Sequence, residues 1–120
     1  MKTDNQLLNK SFEFAIRIVN VCKYLQDNKK EYILSKQLLR SGTSIGANAN
    51  EAQAAQSRKD FIAKLAIASK EARETKYWID LLMTTGYLPS NNKKVHALQN
   101  ESIELIKLLT SILKTLQIKN

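Results

Sequence analysis

Apolar side chains at Leu7, Phe14, Ile18, Val21 and Leu25, with Ser11 as the weak member, recur at three- and four-residue steps along the first part of the chain. That spacing is the seam of a helix with one buried face. Leu8, Phe12, Ala15, Val19 and Cys22 run beside it, so the two stripes predict an apolar face wide enough to bury on one side. The last part of the chain keeps the same rhythm through Val95, Leu98, Leu105, Leu109, Ile112 and Leu116, interrupted by Ser102. Ile103, Ile106, Leu108 and Leu113 carry apolar surface beyond a single stripe, and that excess predicts a second buried contact, with another subunit.

No alternating run of strand type is bounded by turn signals, and the helical pattern is broken in three places: at Asp27-Asn28-Lys29-Lys30, at Gln56-Ser57-Arg58-Lys59, and from Gly86 to Asn92. Four helices of about 25 residues follow. Connections of a few residues make neighbours antiparallel, so the predicted fold is all-α, an up-down-up-down four-helix bundle forming one domain over residues 1–120. Ser57-Arg58-Lys59-Asp60 has the form of a capping box opening the third helix. Gly86 can take the left-handed conformation that ends this helix, and Pro89 prevents its continuation.

The second helix is unusual. Ser41, Gly42, Ser44, Gly46, Ala47, Ala49, Ala52 and Ala55 are small, and each interior glycine costs about 1 kcal/mol relative to alanine. Close approach of a neighbouring backbone is the simplest compensation. Gly42 and Gly46 do not make a phosphate loop, because neither the following Lys-Ser/Thr nor a preceding strand is present. Arg40, Ser44, Asn48 and Glu51, spaced four, four and three, form one polar stripe. With the turn centred on Ser57, Arg40 comes level with Glu74, and the third helix offers Glu71, Glu74 and Trp78 on the related face. These seven residues are expected to form a structural polar network, with an ion pair from Arg40 to Glu71 and Glu74 beside the Trp78 ring.

Composition narrows the function. A formal charge of +8 on 120 residues gives a positive far field that attracts polyanions or acidic proteins. Cys22 is the only cysteine and His96 the only histidine, which excludes an intramolecular disulfide and a Cys/His metal cluster, and suits a reducing cytoplasm. No secretory signal or membrane-spanning run is read in the sequence. Glu51, Glu71 and Glu74 lack a nucleophile with its base, so no catalytic residue and no cofactor are expected.

The run LLRSGTSIGANANEAQAAQSRKDFIAKLAIASKEARETKYWIDLL, residues 38–82, resembles the four-helix-bundle family of 23S rRNA intervening sequence proteins. The resemblance rests on R-S-G-T-S-I-G-A-N with Glu51 after it, and on K-E-A-R-E-T-K-Y-W-I from Lys70 to Ile79; the first and fourth helices agree in length and pattern. Asn50 departs from it, standing where an aliphatic residue or alanine is expected. The resemblance implies a bacterial up-down bundle that assembles as a homopentameric ring. It also points to a related branch, the accessory protein of diversity-generating retroelements, a basic pentamer that looks built to bind RNA or DNA and a reverse transcriptase.

In an up-down bundle the first and third connections share one end, which gathers Lys29, Lys30, Lys93 and Lys94; the other end holds Arg58, Lys59, Lys2 and Lys119. Lys93 and Lys94 oppose the dipole of the helix they open, at about 0.3 to 1 kcal/mol each before screening. The expected function is a non-catalytic accessory factor that meets RNA or DNA through backbone phosphates at these cations. The competing expectation is an adaptor whose basic surface recruits an acidic or polymerase-like protein.

Overall fold

The computed structural model describes residues 5–118, which form α1 (Asn5–Asn28), α2 (Leu34–Ala52), α3 (Arg58–Thr84) and α4 (Lys93–Ile118). Each helix packs on its neighbours in chain order and α4 closes back on α1, giving a four-cornered bundle of 47 × 22 × 19 Å. α1 and α3 stand at opposite corners, as do α2 and α4. Among the described residues no helix is long and apolar enough to cross a membrane, and no group of three or more His, Cys, Asp or Glu side chains could hold a metal ion.

The core follows the seams. Phe14 and Ile18 of α1, Leu38 and Ile45 of α2, Leu65 and Ile79 of α3, and Leu98 and Leu105 of α4 are fully or almost fully buried. Each such side chain contributes about 1.5 to 3 kcal/mol by leaving water. The second stripe of α1 departs from expectation. Cys22 is buried and Leu8 and Ala15 half-buried, but Phe12 is 65% exposed, Val19 36%, and Ile16, next to the stripe, 48%. The reason lies in α2: Gly42 sits against Ile18 and Gly46 against Ser11, and small side chains that let two backbones approach cannot also reach sideways over the flank of α1.

The caps explain where the helices begin and end. Ser57 Oγ accepts from the Asp60 amide at 3.0 Å, while the Asp60 carboxylate accepts from the Gln56 amide at 3.3 Å, one residue further back than a reciprocal box would place it. Asn92 Oδ1 accepts from the amides of Lys94 (2.8 Å) and Val95 (3.2 Å), which makes it the cap of α4. α2 opens differently: buried Glu31 accepts from the Ser35 amide at 2.8 Å, and Ser35 Oγ donates back to the Glu31 carbonyl at 2.8 Å. Gly86 has φ +86° after α3, and the Leu88 amide then closes on the Leu82 carbonyl at 3.1 Å. The end of α1 repeats that closure, Glu31 amide to Leu25 carbonyl at 3.0 Å, with Lys30 in the left-handed position at φ 55°.

Candidate nucleic-acid interface

The two connections do share an end of the bundle. Lys94 lies beside Asn20, Val21 and Tyr24 of α1, around a shallow hollow of about 320 Å³ completed by the segment that leads into α4. Lys29, Lys30, Lys93 and Lys94 are all exposed there. Lys30 occupies a conformation that costs a side chain with a Cβ about 1 kcal/mol, where glycine or asparagine is the usual choice. Lys30→Gly is therefore expected to raise stability by about 0.5 to 1 kcal/mol in urea unfolding, the relief of strain outweighing the entropy lost by a glycine. A neutral or destabilising result would show that the Lys30 side chain makes a stabilising contact of its own.

The opposite end of the bundle carries Arg58 and Lys59, both exposed. Arg58 donates through Nη2 to the Leu116 carbonyl at 2.5 Å, placing its charge at the negative end of the α4 dipole. Lys2 and Lys119 lie outside the described residues.

The polar network is smaller than the seven residues grouped by spacing. Arg40 donates through Nη1 to Glu71 at 2.9 Å and through Nη2 to Glu74, and the Trp78 indole N–H donates to Glu74 at 3.1 Å. Glu71 is buried, and Lys70 stands 3.8 Å from its other oxygen. The Glu74 carboxyl is held below the usual range, first by the Trp78 hydrogen bond and then, against partial burial, by the charge of Arg40. Ser44 and Asn48 turn back onto their own helix, donating to the Arg40 carbonyl at 2.6 Å and the Ser44 carbonyl at 2.8 Å. Glu51 is exposed near the end of α2, about 16 Å along the helix from Arg40, too far to join.

Three further features escaped the sequence reading. α1 and α4 are tied by Lys10 to Glu104 at 3.3 Å and by Arg17 to Glu101. Asp80 accepts from Lys76 at 2.6 Å and from Gln99 of α4 at 2.9 Å; partial burial would raise its pKa, but these hydrogen bonds outweigh it and hold the carboxyl low. Between α3 and α4 an open groove of about 470 Å³ is lined by Lys70 and Arg73 on one wall and Lys114 on the other. The signal for that groove was in the sequence: cations at 70, 73, 107 and 114 fall at helical spacing on two adjacent helices. The Cys22 thiol is pushed up to about 12 by burial and donates to the Ser35 carbonyl at 3.3 Å, so it stays protonated packing at neutral pH.

Comparison with known proteins gives two positive findings. The family model described as 23S rRNA-intervening sequence protein matches residues 3–111. A crystal structure of a protein of unknown function from the S23 ribosomal protein family of Bacteroides thetaiotaomicron is similar over 90% of this chain and 98% of its own, with 55% sequence identity and a TM-score of 0.86. No curated protein matches.

Proposed function

This chain belongs to the 23S rRNA-intervening sequence protein family, and from that premise we propose that it is a non-catalytic, cytoplasmic, homopentameric accessory factor that binds RNA or DNA through backbone phosphates. The observation that carries this reading is the placement of Lys30, Lys93 and Lys94. One sits in a left-handed backbone conformation and two sit at the positive end of a helix dipole, all exposed at one end of the bundle. Local energetics disfavours each of these placements, and a polyanion that needs charge there supplies a reason for them. Self-association is supported by Phe12, Ile16 and Val19, which leave an apolar strip on α1 open to water. The number five comes from the family resemblance, and a ring would repeat the lysine end five times on one side.

A second reading draws on Tyr32 and Ile33, 51% and 76% exposed right after those lysines. Bulky apolar side chains beside cations suit an acidic protein partner, such as a polymerase-like enzyme or a reverse transcriptase, with the chain as its adaptor.

A salt series with RNA and duplex DNA, recorded with the solution mass in the same buffers, tests the first reading. A steep negative slope is expected, about −0.9 per contacted phosphate on duplex DNA, flattened when Lys29, Lys30, Lys93 and Lys94 become glutamine. Absence of binding near physiological salt would sink it and leave the adaptor reading.

A further inference from the structure

We infer that the groove between α3 and α4 is a second phosphate-binding track, shaped for one single strand of nucleic acid; the inference deepens the nucleic-acid reading above and rests on it. Lys70 and Arg73 form one wall, Lys114 forms the other, and Ala66, Ser69 and Leu113 line the space between. Lys107, seven residues before Lys114, continues the same stripe of α4 for about 10 Å. Such a run lets a strand lie along the groove with successive phosphates against cations of both walls.

What distinguishes this groove from an ordinary solvated surface is the sorting of charge. α3 and α4 carry six carboxylates, and each is engaged elsewhere. Asp60 caps the start of α3, Glu71 and Glu74 turn to Arg40 on α2, Asp80 is held by Lys76 and Gln99, and Glu101 and Glu104 turn to Arg17 and Lys10 on α1. Among the described residues Arg73, Lys107 and Lys114 form no ion pair, and Arg73 makes a long hydrogen bond from Nη2 to Thr110 Oγ1 at 3.5 Å. A guanidinium has five donors in a planar fork, which fits a phosphate's oxygens. Lys70 is nearest a carboxylate already bonded to Arg40. Four of the six carboxylates thus turn away to α1 and α2, and the two that do not, Asp60 and Asp80, already hold partners outside the groove's lining, which keeps its cations.

Tyr77 argues for a single strand. It lies one turn beyond Arg73 on the same ridge of α3, is 60% exposed, and is steadied edge-on by Trp78 with ring centroids 5.1 Å apart. An exposed ring beside phosphate-gripping cations can stack an unpaired base, which a duplex keeps inside its own stack. The apolar strip of α1, on the opposite corner, leaves the groove open if copies associate through that strip.

The test uses the full chain and fluorescence anisotropy of a labelled oligouridylate across a salt series, with an RNA duplex of equal length as the comparison. Lys70→Gln, Arg73→Gln and Lys114→Gln together should reduce the log–log salt slope by about 2, at about 0.7 per phosphate on single strands. Tyr77→Ala should weaken oligouridylate binding about tenfold with the slope unchanged. These side chains are exposed, so an unaltered thermal unfolding curve is expected and confirms intact fold in each variant. If the triple variant keeps the wild-type slope while the lysine-end variant flattens it, the groove is wrong and the phosphate reading survives. Preference for the duplex overturns the single-strand assignment. If the unmodified chain binds neither probe, the functional reading fails, and the groove with it.

Discussion

Arg40→Met is expected to lower the folding stability by about 2 kcal/mol at pH 7, read from urea unfolding. The side chain itself is half-exposed, so a bare surface pair would be worth far less. The cost comes from what is left behind. Glu71 is 5% exposed, and without the 2.9 Å hydrogen bond from Arg40 it faces only the Lys70 ammonium at 3.8 Å. A cycle with Glu71→Gln should show coupling of about 1 to 2 kcal/mol, because the double variant has no stranded carboxylate. Additive losses would mean that Glu71 is satisfied without Arg40. The pH dependence has a definite sign. Glu74 titrates below its ordinary value in the folded chain, so its contribution is fully present above the unfolded value, about 4.3, and is lost as pH falls through the lower folded one. Removing Arg40 takes away part of that depression and leaves the Trp78 hydrogen bond, so the gap between the two proteins should narrow below about pH 4.

That pair was legible in the sequence because one residue fixed the register. Ser57 caps α3, and counting equally in both directions from it sets Arg40 against Glu74. The same spacing argument overreached with Ser44, Asn48 and Glu51. A stripe on a helix fixes direction, but a hydroxyl or amide can satisfy itself on the carbonyl four residues back, as Ser44 and Asn48 do. The burial of Val19 and Phe12 was misread for a related reason: apolar periodicity gives the face a helix turns inward, whereas the width covered depends on the size of its neighbour's side chains. The backbone role of Lys30 and the capping role of Glu31 were not legible, because neither a left-handed lysine nor a cap supplied by a buried glutamate has a strong residue preference behind it. The charge of the α3/α4 groove depends on which way six carboxylates turn, and for four of them that is set by tertiary partners on α1 and α2.

Gly42→Ala is the complementary case, a change that helps the isolated helix and harms the fold. Alanine gains about 1 kcal/mol of helix propensity over glycine. Against that, a Cβ at Gly42 would stand 2.8 Å from both Cγ1 and Cγ2 of Ile18, atoms one bond from a branch point in a fully buried side chain. A β-branched residue in a helix has one comfortable χ1 rotamer, so Ile18 cannot swing aside and the two helices must part. Overpacking of this kind costs about 1 to 3 kcal/mol, which leaves a net loss of up to about 2 kcal/mol in urea unfolding. At Gly46 the nearest atom is Ser11 Oγ at 3.3 Å, on a side chain that can rotate, so Gly46→Ala should fall within about 0.5 kcal/mol of neutral. Ile18→Ala removes both offending atoms, and although it opens a cavity by itself, it should cost about 1 kcal/mol less when alanine already occupies position 42. If Gly42→Ala instead stabilises the chain and shows no coupling to position 18, then α1 and α2 stand further apart than this structure places them. The small residues of α2 would then need an explanation other than close packing against α1.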